Sequence, residues 1–114
     1  MLRARLFVIA LVLALAVDAH AQAPPPYVSP EVRSDRAITF RYFAPAARAV
    51  TVSGELGGKS YPMVKDASDL WSVTTDRLAP DIYTYSFNVD GVVALDPQNA
   101  NTKYGYSMFA SSSV

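Results

Sequence analysis

The segment Ile82–Val89 constrains the fold more than any other part of the chain. Its residues alternate strictly: Tyr83, Tyr85, Phe87 and Val89 fall on one side, Thr84, Ser86 and Asn88 on the other. A period of two places successive side chains on opposite faces of a strand, so this pattern predicts a strand with one apolar and one polar face. Asp90-Gly91 follows, a pair suited to the type I′ turn of a two-residue hairpin. Val92–Leu95 then reads as the returning strand, ended by Pro97.

The same period recurs upstream. In Ala37–Phe43, Ile38, Phe40 and Tyr42 share a face. In Ala49–Ser53, Val50 and Val52 share one, and in Leu70–Thr75 Trp71 and Val73 do. Tyr61–Lys65 reads as a short strand that Pro62 confines to an edge. Gly54, Gly57 and Gly58, then Asp66–Asp69, then Pro80-Asp81 supply turns between these runs. Tyr104–Ala110 reads as a last strand. No segment after residue 21 keeps helical spacing. Short alternating runs with frequent turns predict an all-β fold, an antiparallel β-sandwich of immunoglobulin-like type spanning 32–110. The expected core is Phe40, Val50, Val52, Trp71, Val73, Tyr83, Tyr85, Phe87 and Val89, with Asp90 and Gly91 as turn residues.

The N-terminus is different. Arg3 and Arg5 precede an unbroken apolar run of twelve residues, Leu6–Val17, and Ala19-His20-Ala21 is a small-x-small site. This three-part pattern predicts a cleaved signal peptide over 1–21, with secretion or delivery to the periplasm. Twelve residues fall short of the roughly 20 a bilayer span needs, so no lasting membrane anchor is expected. Residues 22–31 hold four of the eight prolines and read as a Pro-rich spacer. Residues 111–114 read as a tail or the start of a linker.

Cleavage after Ala21 would remove His20, the only His, and the chain has no Cys. That excludes Ser-His-Asp and Cys-His nucleophilic systems and the usual zinc, copper and haem ligands. No cofactor or metal is expected, and no enzyme activity of the chain's own. Residues 22–114 carry eight basic and nine acidic side chains, a balance that argues against a nucleic-acid partner. Gly105-Tyr106-Ser107-Met108-Phe109 starts like a nucleophile elbow but lacks the second glycine and any strand-then-helix setting. Asp66, Asp69 and Asp76 match no calcium-loop spacing.

From about Ser29 to Ser107 the chain resembles the N-terminal immunoglobulin-like domain of secreted bacterial esterases of the enterochelin- and feruloyl-esterase type. That domain is similar to family 48 carbohydrate-binding modules and related early-set domains. The matching segments are Ser29-Pro30-Glu31-Val32, Thr39-Phe40-Arg41, Ala44-Pro45-Ala46-Ala47, Val50-Thr51-Val52-Ser53-Gly54 and Leu70-Trp71-Ser72-Val73. The most distinctive is Pro80 to Gly91, followed by Asp96-Pro97-Gln98-Asn99. The resemblance implies a non-catalytic accessory domain placed before an α/β-hydrolase domain that is absent from this chain, with polysaccharide as the expected ligand. Sugar-binding members carry a Trp after the loop that follows the Ser-Gly strand end. They carry another just after the Val-Asp-Gly turn, and a Lys on the preceding strand. Here the loop Gly54–Lys59 has no Trp, the second position reads Val92-Val93, and the Lys position is Ser86. The alternative is therefore a stand-alone structural or protein-interaction sandwich.

Tyr104, Tyr106 and Phe109 remain as a candidate ligand or partner surface. They follow a polar turn near the C-terminus, and Tyr104 and Tyr106 share strand parity. Trp71 and the Tyr83-Tyr85-Phe87 ladder are assigned to the interior by the same parity.

Overall fold

The computed structural model describes residues 23–111. The expected signal peptide and residues 112–114 of the expected tail lie outside that range. Ten strands follow one another: β1 (Glu31–Val32), β2 (Ile38–Phe43), β3 (Val50–Gly54), β4 (Tyr61–Pro62), β5 (Val64–Lys65), β6 (Leu70–Thr74), β7 (Asp81–Val89), β8 (Val92–Ala94), β9 (Thr102–Lys103) and β10 (Tyr106–Ser111). They form two antiparallel sheets. The first has the order β1-β2-β6-β5. The second has the order β4-β3-β7-β10-β9, with β8 pairing β7 as well.

The apolar faces of the two sheets meet in one core. Phe40 of β2 is its hub: its ring lies 4.7 Å from Tyr85, 5.8 Å from Phe109 and 6.4 Å from Phe87. These tilted and edge-on contacts suit the aromatic quadrupole. Ile38, Val50, Val52, Trp71 and Tyr83 complete the buried set expected from the alternation, while Val73 and Val89 are half-buried against it. Trp71 donates its indole N–H to the Ala44 carbonyl at 2.9 Å, which satisfies its one polar group in the interior. The Asp90-Gly91 turn forms as expected, with φ of 49° and 88° and Val89 paired to Val92.

Four features depart from the sequence reading. Leu56, read only as part of a loop, and Leu78, given no role by the sequence, are buried in the core. Tyr61–Lys65 is not one strand. Tyr61–Pro62 pairs β3 in the second sheet, and Val64–Lys65 pairs β6 in the first. The chain changes sheet at Met63, whose side chain is buried and whose N–H donates to the Val50 carbonyl at 2.8 Å. The Pro-rich spacer is not wholly outside the fold. Ser29 is buried and its hydroxyl accepts the Arg41 N–H at 3.1 Å, and Glu31 opens β1. Lastly Ser111, placed in the tail, closes β10 opposite Asp81.

Candidate functional site

The polar face of β7 lies on the outside of the second sheet, and the register of its neighbours assembles a surface around it. Thr51 and Ser53 of β3 stand opposite Asn88 and Ser86. Met108 and Ala110 of β10 stand opposite Thr84 and Ile82. Val93 of β8 stands opposite Asn88. Because paired residues share a face, these side chains form one floor. Its centre is Thr51, Ser53, Thr84, Ser86 and Asn88, all half-buried or exposed. Such a floor offers hydroxyl and amide groups at short range, each able to donate and accept.

The floor is bounded on two sides. At the β3 edge the Glu55 carboxylate accepts from the Thr84 N–H at 3.1 Å and the Thr84 hydroxyl at 2.9 Å. At the other edge stands Tyr106, 49% exposed, one place beyond the Ser107–Tyr85 pair and so beside Ser86. Lys103 of β9 pairs with Tyr106 and shares its face. Tyr104 caps the β9–β10 turn, 88% exposed, with the Lys103 Nζ 5.4 Å from its ring centre.

Of the three aromatic residues proposed from sequence as a surface, the structure brings Tyr104 and Tyr106 together on one exposed hairpin. Phe109 does not join them. It is 6% exposed and stacks on Tyr83 at 5.3 Å inside the sandwich. The reason is parity: Phe109 lies three positions after Tyr106, an odd offset that puts them on opposite faces of β10.

Beneath the hairpin lies a buried polar cluster that the sequence reading did not bring together. Tyr85 donates its hydroxyl to Asp96 Oδ2 at 2.7 Å, and the Gln98 N–H donates to Asp96 Oδ1 at 2.9 Å. The Asp96 N–H donates to the Ser107 hydroxyl at 2.9 Å. Asn99 Nδ2 donates to the Tyr85 oxygen at 3.0 Å and to the Met108 carbonyl at 2.8 Å. Burial pushes the Asp96 carboxyl above the usual carboxylate range, against hydrogen bonds to Ser29, Tyr85 and Gln98 that pull it down. Burial likewise pushes the Tyr85 hydroxyl far above its ordinary value. Every partner belongs to the domain itself, so the cluster fastens the 96–99 loop and Ser29 to β7 and β10. Through Asn101, whose carbonyl accepts the Met108 N–H at 2.9 Å, it also seats the loop that leads into β9.

An open cavity of about 340 Å³ lies elsewhere, lined by Tyr42–Ala47, Val89 and Asp90. Its one carboxylate is occupied: Asp90 accepts from the Arg48 N–H at 2.9 Å and the Ala49 N–H at 2.8 Å. Among the described residues no three His, Cys, Asp or Glu side chains converge to hold a metal ion.

Comparison with known proteins now bears on this geometry. Residues 28–104 match the family model of carbohydrate-binding module 48, the isoamylase N-terminal domain. The chain belongs to this family. The module is also 36% identical over 74 residues to an endo-1,4-beta-xylanase/feruloyl esterase of Xylanibacter ruminicola, a match covering 63% of the chain and 10% of that protein. The module thus spans about a tenth of the length of that curated relative. Among solved structures it resembles a putative alpha amylase from Salmonella typhimurium with a TM-score of 0.63, at 22% identity over 74% of the chain and 15% of that protein. It also resembles the pullulanase from Bacillus acidopullulyticus, with a TM-score of 0.58 at 23% identity over 79% of the chain and 12% of that protein. At these identities the structural likeness establishes the immunoglobulin-like fold. The family resemblance read from the sequence is borne out.

Val92 and Val93, where the sequence resemblance implies a Trp, are each 67% exposed. In the loop Gly54–Lys59 the large apolar residue, Leu56, turns inward. Ser86, where the resemblance implies a Lys, lies on the floor beside Tyr106.

Proposed function

We propose that this chain is the non-catalytic accessory domain of an exported carbohydrate-active esterase, and that it holds polysaccharide near an α/β-hydrolase domain. The observation that carries the reading is the family match across residues 28–104, joined to a feruloyl-esterase relative at 36% identity. The signal-peptide pattern of residues 1–21 supports export. The floor of Thr51, Ser53, Thr84, Ser86 and Asn88 suits a hydroxyl-rich ligand, and Tyr106 at its edge supplies an apolar face for a sugar ring. On this reading its part is to hold a ligand while another domain reacts with it.

Affinity electrophoresis of the full chain through gels containing soluble xylan or glycogen tests the proposal. Retardation relative to a neutral gel, lost on Tyr106→Ala, supports it. Unchanged mobility in both gels contradicts it. A second reading has one specific observation in its favour: Val92, Val93 and Leu95 form an exposed apolar run on the β7–β8 hairpin and beyond. Such a run suits contact with another protein, and it predicts no retardation in either gel.

A further inference from the structure

Two hairpins in this fold have nearly the same turn and very different residues at its first position. The β7–β8 turn has Asp90 at φ 49° and Gly91 at φ 88°. The β9–β10 turn has Tyr104 at φ 51° and Gly105 at φ 79°, closed by the Lys103–Tyr106 pair. Positive φ at the first turn position favours Asn, Asp or Gly. Asp90 obeys that rule and accepts hydrogen bonds from two neighbouring N–H groups. Tyr104 breaks it: a bulky side chain rarely adopts left-handed backbone. Its ring contributes little packing in return, since it is 88% exposed. Backbone strain at a ring left almost wholly exposed points to a role outside the fold itself.

The surroundings say what that role is. Lys103 shares the exposed face of Tyr106 and holds its ammonium 5.4 Å from the Tyr104 ring. Among the described residues no carboxylate lies within ion-pair distance of Lys103; the pairs present involve Glu31, Asp69 and Asp76 with other cations. Glu55, which borders the floor, is at the far edge and is hydrogen-bonded to Thr84. One end of the surface is therefore aromatic and cationic.

We infer that the β9–β10 hairpin, through Tyr104, Lys103 and Tyr106, recognises a uronate-bearing polysaccharide. The two rings offer apolar faces to sugar rings, and Lys103 meets the carboxylate. The inference rests on the carbohydrate-binding reading above and adds the charge of the ligand. It also explains the cost of Tyr104: Asn at that position would fit the turn better but would not stack on a sugar.

The test compares glucuronoxylan with the same polymer after its carboxyl groups have been reduced to alcohols, by affinity electrophoresis and titration calorimetry on the full chain. The wild type is expected to bind the acidic polymer more tightly. Lys103→Gln should erase that preference, lowering affinity for the acidic polymer by about threefold to fivefold, as an exposed charge pair would. Added salt should weaken the wild type in the same direction. Tyr104→Asn should raise the urea midpoint yet lower affinity by about tenfold, a combination that a purely structural Tyr104 would not give. Equal binding of the two polymers, or Tyr104→Asn binding as tightly as wild type, overturns this inference and leaves the carbohydrate reading standing. Binding of neither polymer, nor of glycogen, overturns both.

Discussion

Gly54→Ala tests the way β3 joins β7. Gly54 has φ +143°, and a Cβ built on it would lie 2.4 Å from the Thr84 carbonyl oxygen and 2.8 Å from the Tyr85 Cα. Both are backbone atoms of the central strand, so no side chain can swing away to make room. Thr84 cannot easily withdraw either: its carbonyl accepts the Glu55 N–H at 3.0 Å, and its own N–H is held by the Glu55 carboxylate. The disallowed backbone region costs about 1–3 kcal/mol. Overpacking against fixed atoms adds about 1–3 kcal/mol. The sum, about 2–6 kcal/mol, is a large part of the roughly 5–15 kcal/mol by which domains are stable. Gly91→Ala is the internal control, because φ is +88° but nothing lies within 4 Å of its built Cβ. It should cost only the conformational part, about 1–2 kcal/mol. Urea unfolding followed by fluorescence of Trp71, the only Trp and a buried one, reads both. At a slope of about 1 kcal/mol/M the Gly54 variant should lose about 2–6 M of midpoint, enough at the upper end to leave it unfolded in water, and the Gly91 variant about 1–2 M. Equal midpoints for the two variants would refute the steric reasoning.

Further expectations concern the interior and its polar cluster. Phe109→Ala should cost about 3–5 kcal/mol in urea unfolding, as loss of a core ring does, whereas Tyr106→Ala should cost under about 1 kcal/mol; similar losses would contradict their opposite placement. Asp96 has a folded-state carboxyl value above its ordinary 3.8, so the folded state holds the proton more tightly. Its contribution therefore favours folding more at acid pH and declines as pH rises from 3.8 through the raised value. The stability of wild type relative to Asp96→Asn should accordingly increase between about pH 7 and about pH 4, and a difference constant over that range would contradict the buried carboxylate. Asp90→Ala should lower stability by about 1–3 kcal/mol through loss of the acceptor for the Arg48 and Ala49 N–H groups and of a residue that tolerates the turn. Thermal unfolding measures that loss, and an unchanged midpoint would count against it.

The parts of the fold visible in the sequence are those where a local rule and tertiary packing agree. Tyr83, Tyr85 and Phe87 alternate with hydroxyl and amide residues over a full strand, and Asp90-Gly91 suits its turn, so β7 and its hairpin could be read residue by residue. Leu56 and Leu78 could not. Each is a lone apolar residue in an irregular segment, and only the assembled sheets reveal the gap it fills. The break at Met63 is hidden because Tyr61–Lys65 alternates as one strand would, and the change of sheet is decided by which neighbour each half finds. Asp96 before Pro97 has the local signature of a turn, while its burial comes from Tyr85 and Ser29, both distant in sequence. The candidate surface was half legible. Parity alone separates Phe109 from Tyr106, but the strain at Tyr104 and the approach of Lys103 to its ring exist only once β9 and β10 have paired.

The central claim is that the outer face of the second sheet holds a glycan. Titration of the isotopically labelled chain with xylo-oligosaccharides and uronate-substituted xylo-oligosaccharides, followed by amide chemical shifts, tests it most directly. Shifts should concentrate on Thr84, Ser86, Asn88, Val93, Lys103 and Tyr106, leaving Phe40, Val52 and Trp71 in place. Shifts confined to the cavity lined by Tyr42–Ala47, or none with either oligosaccharide at saturating concentration, would contradict it.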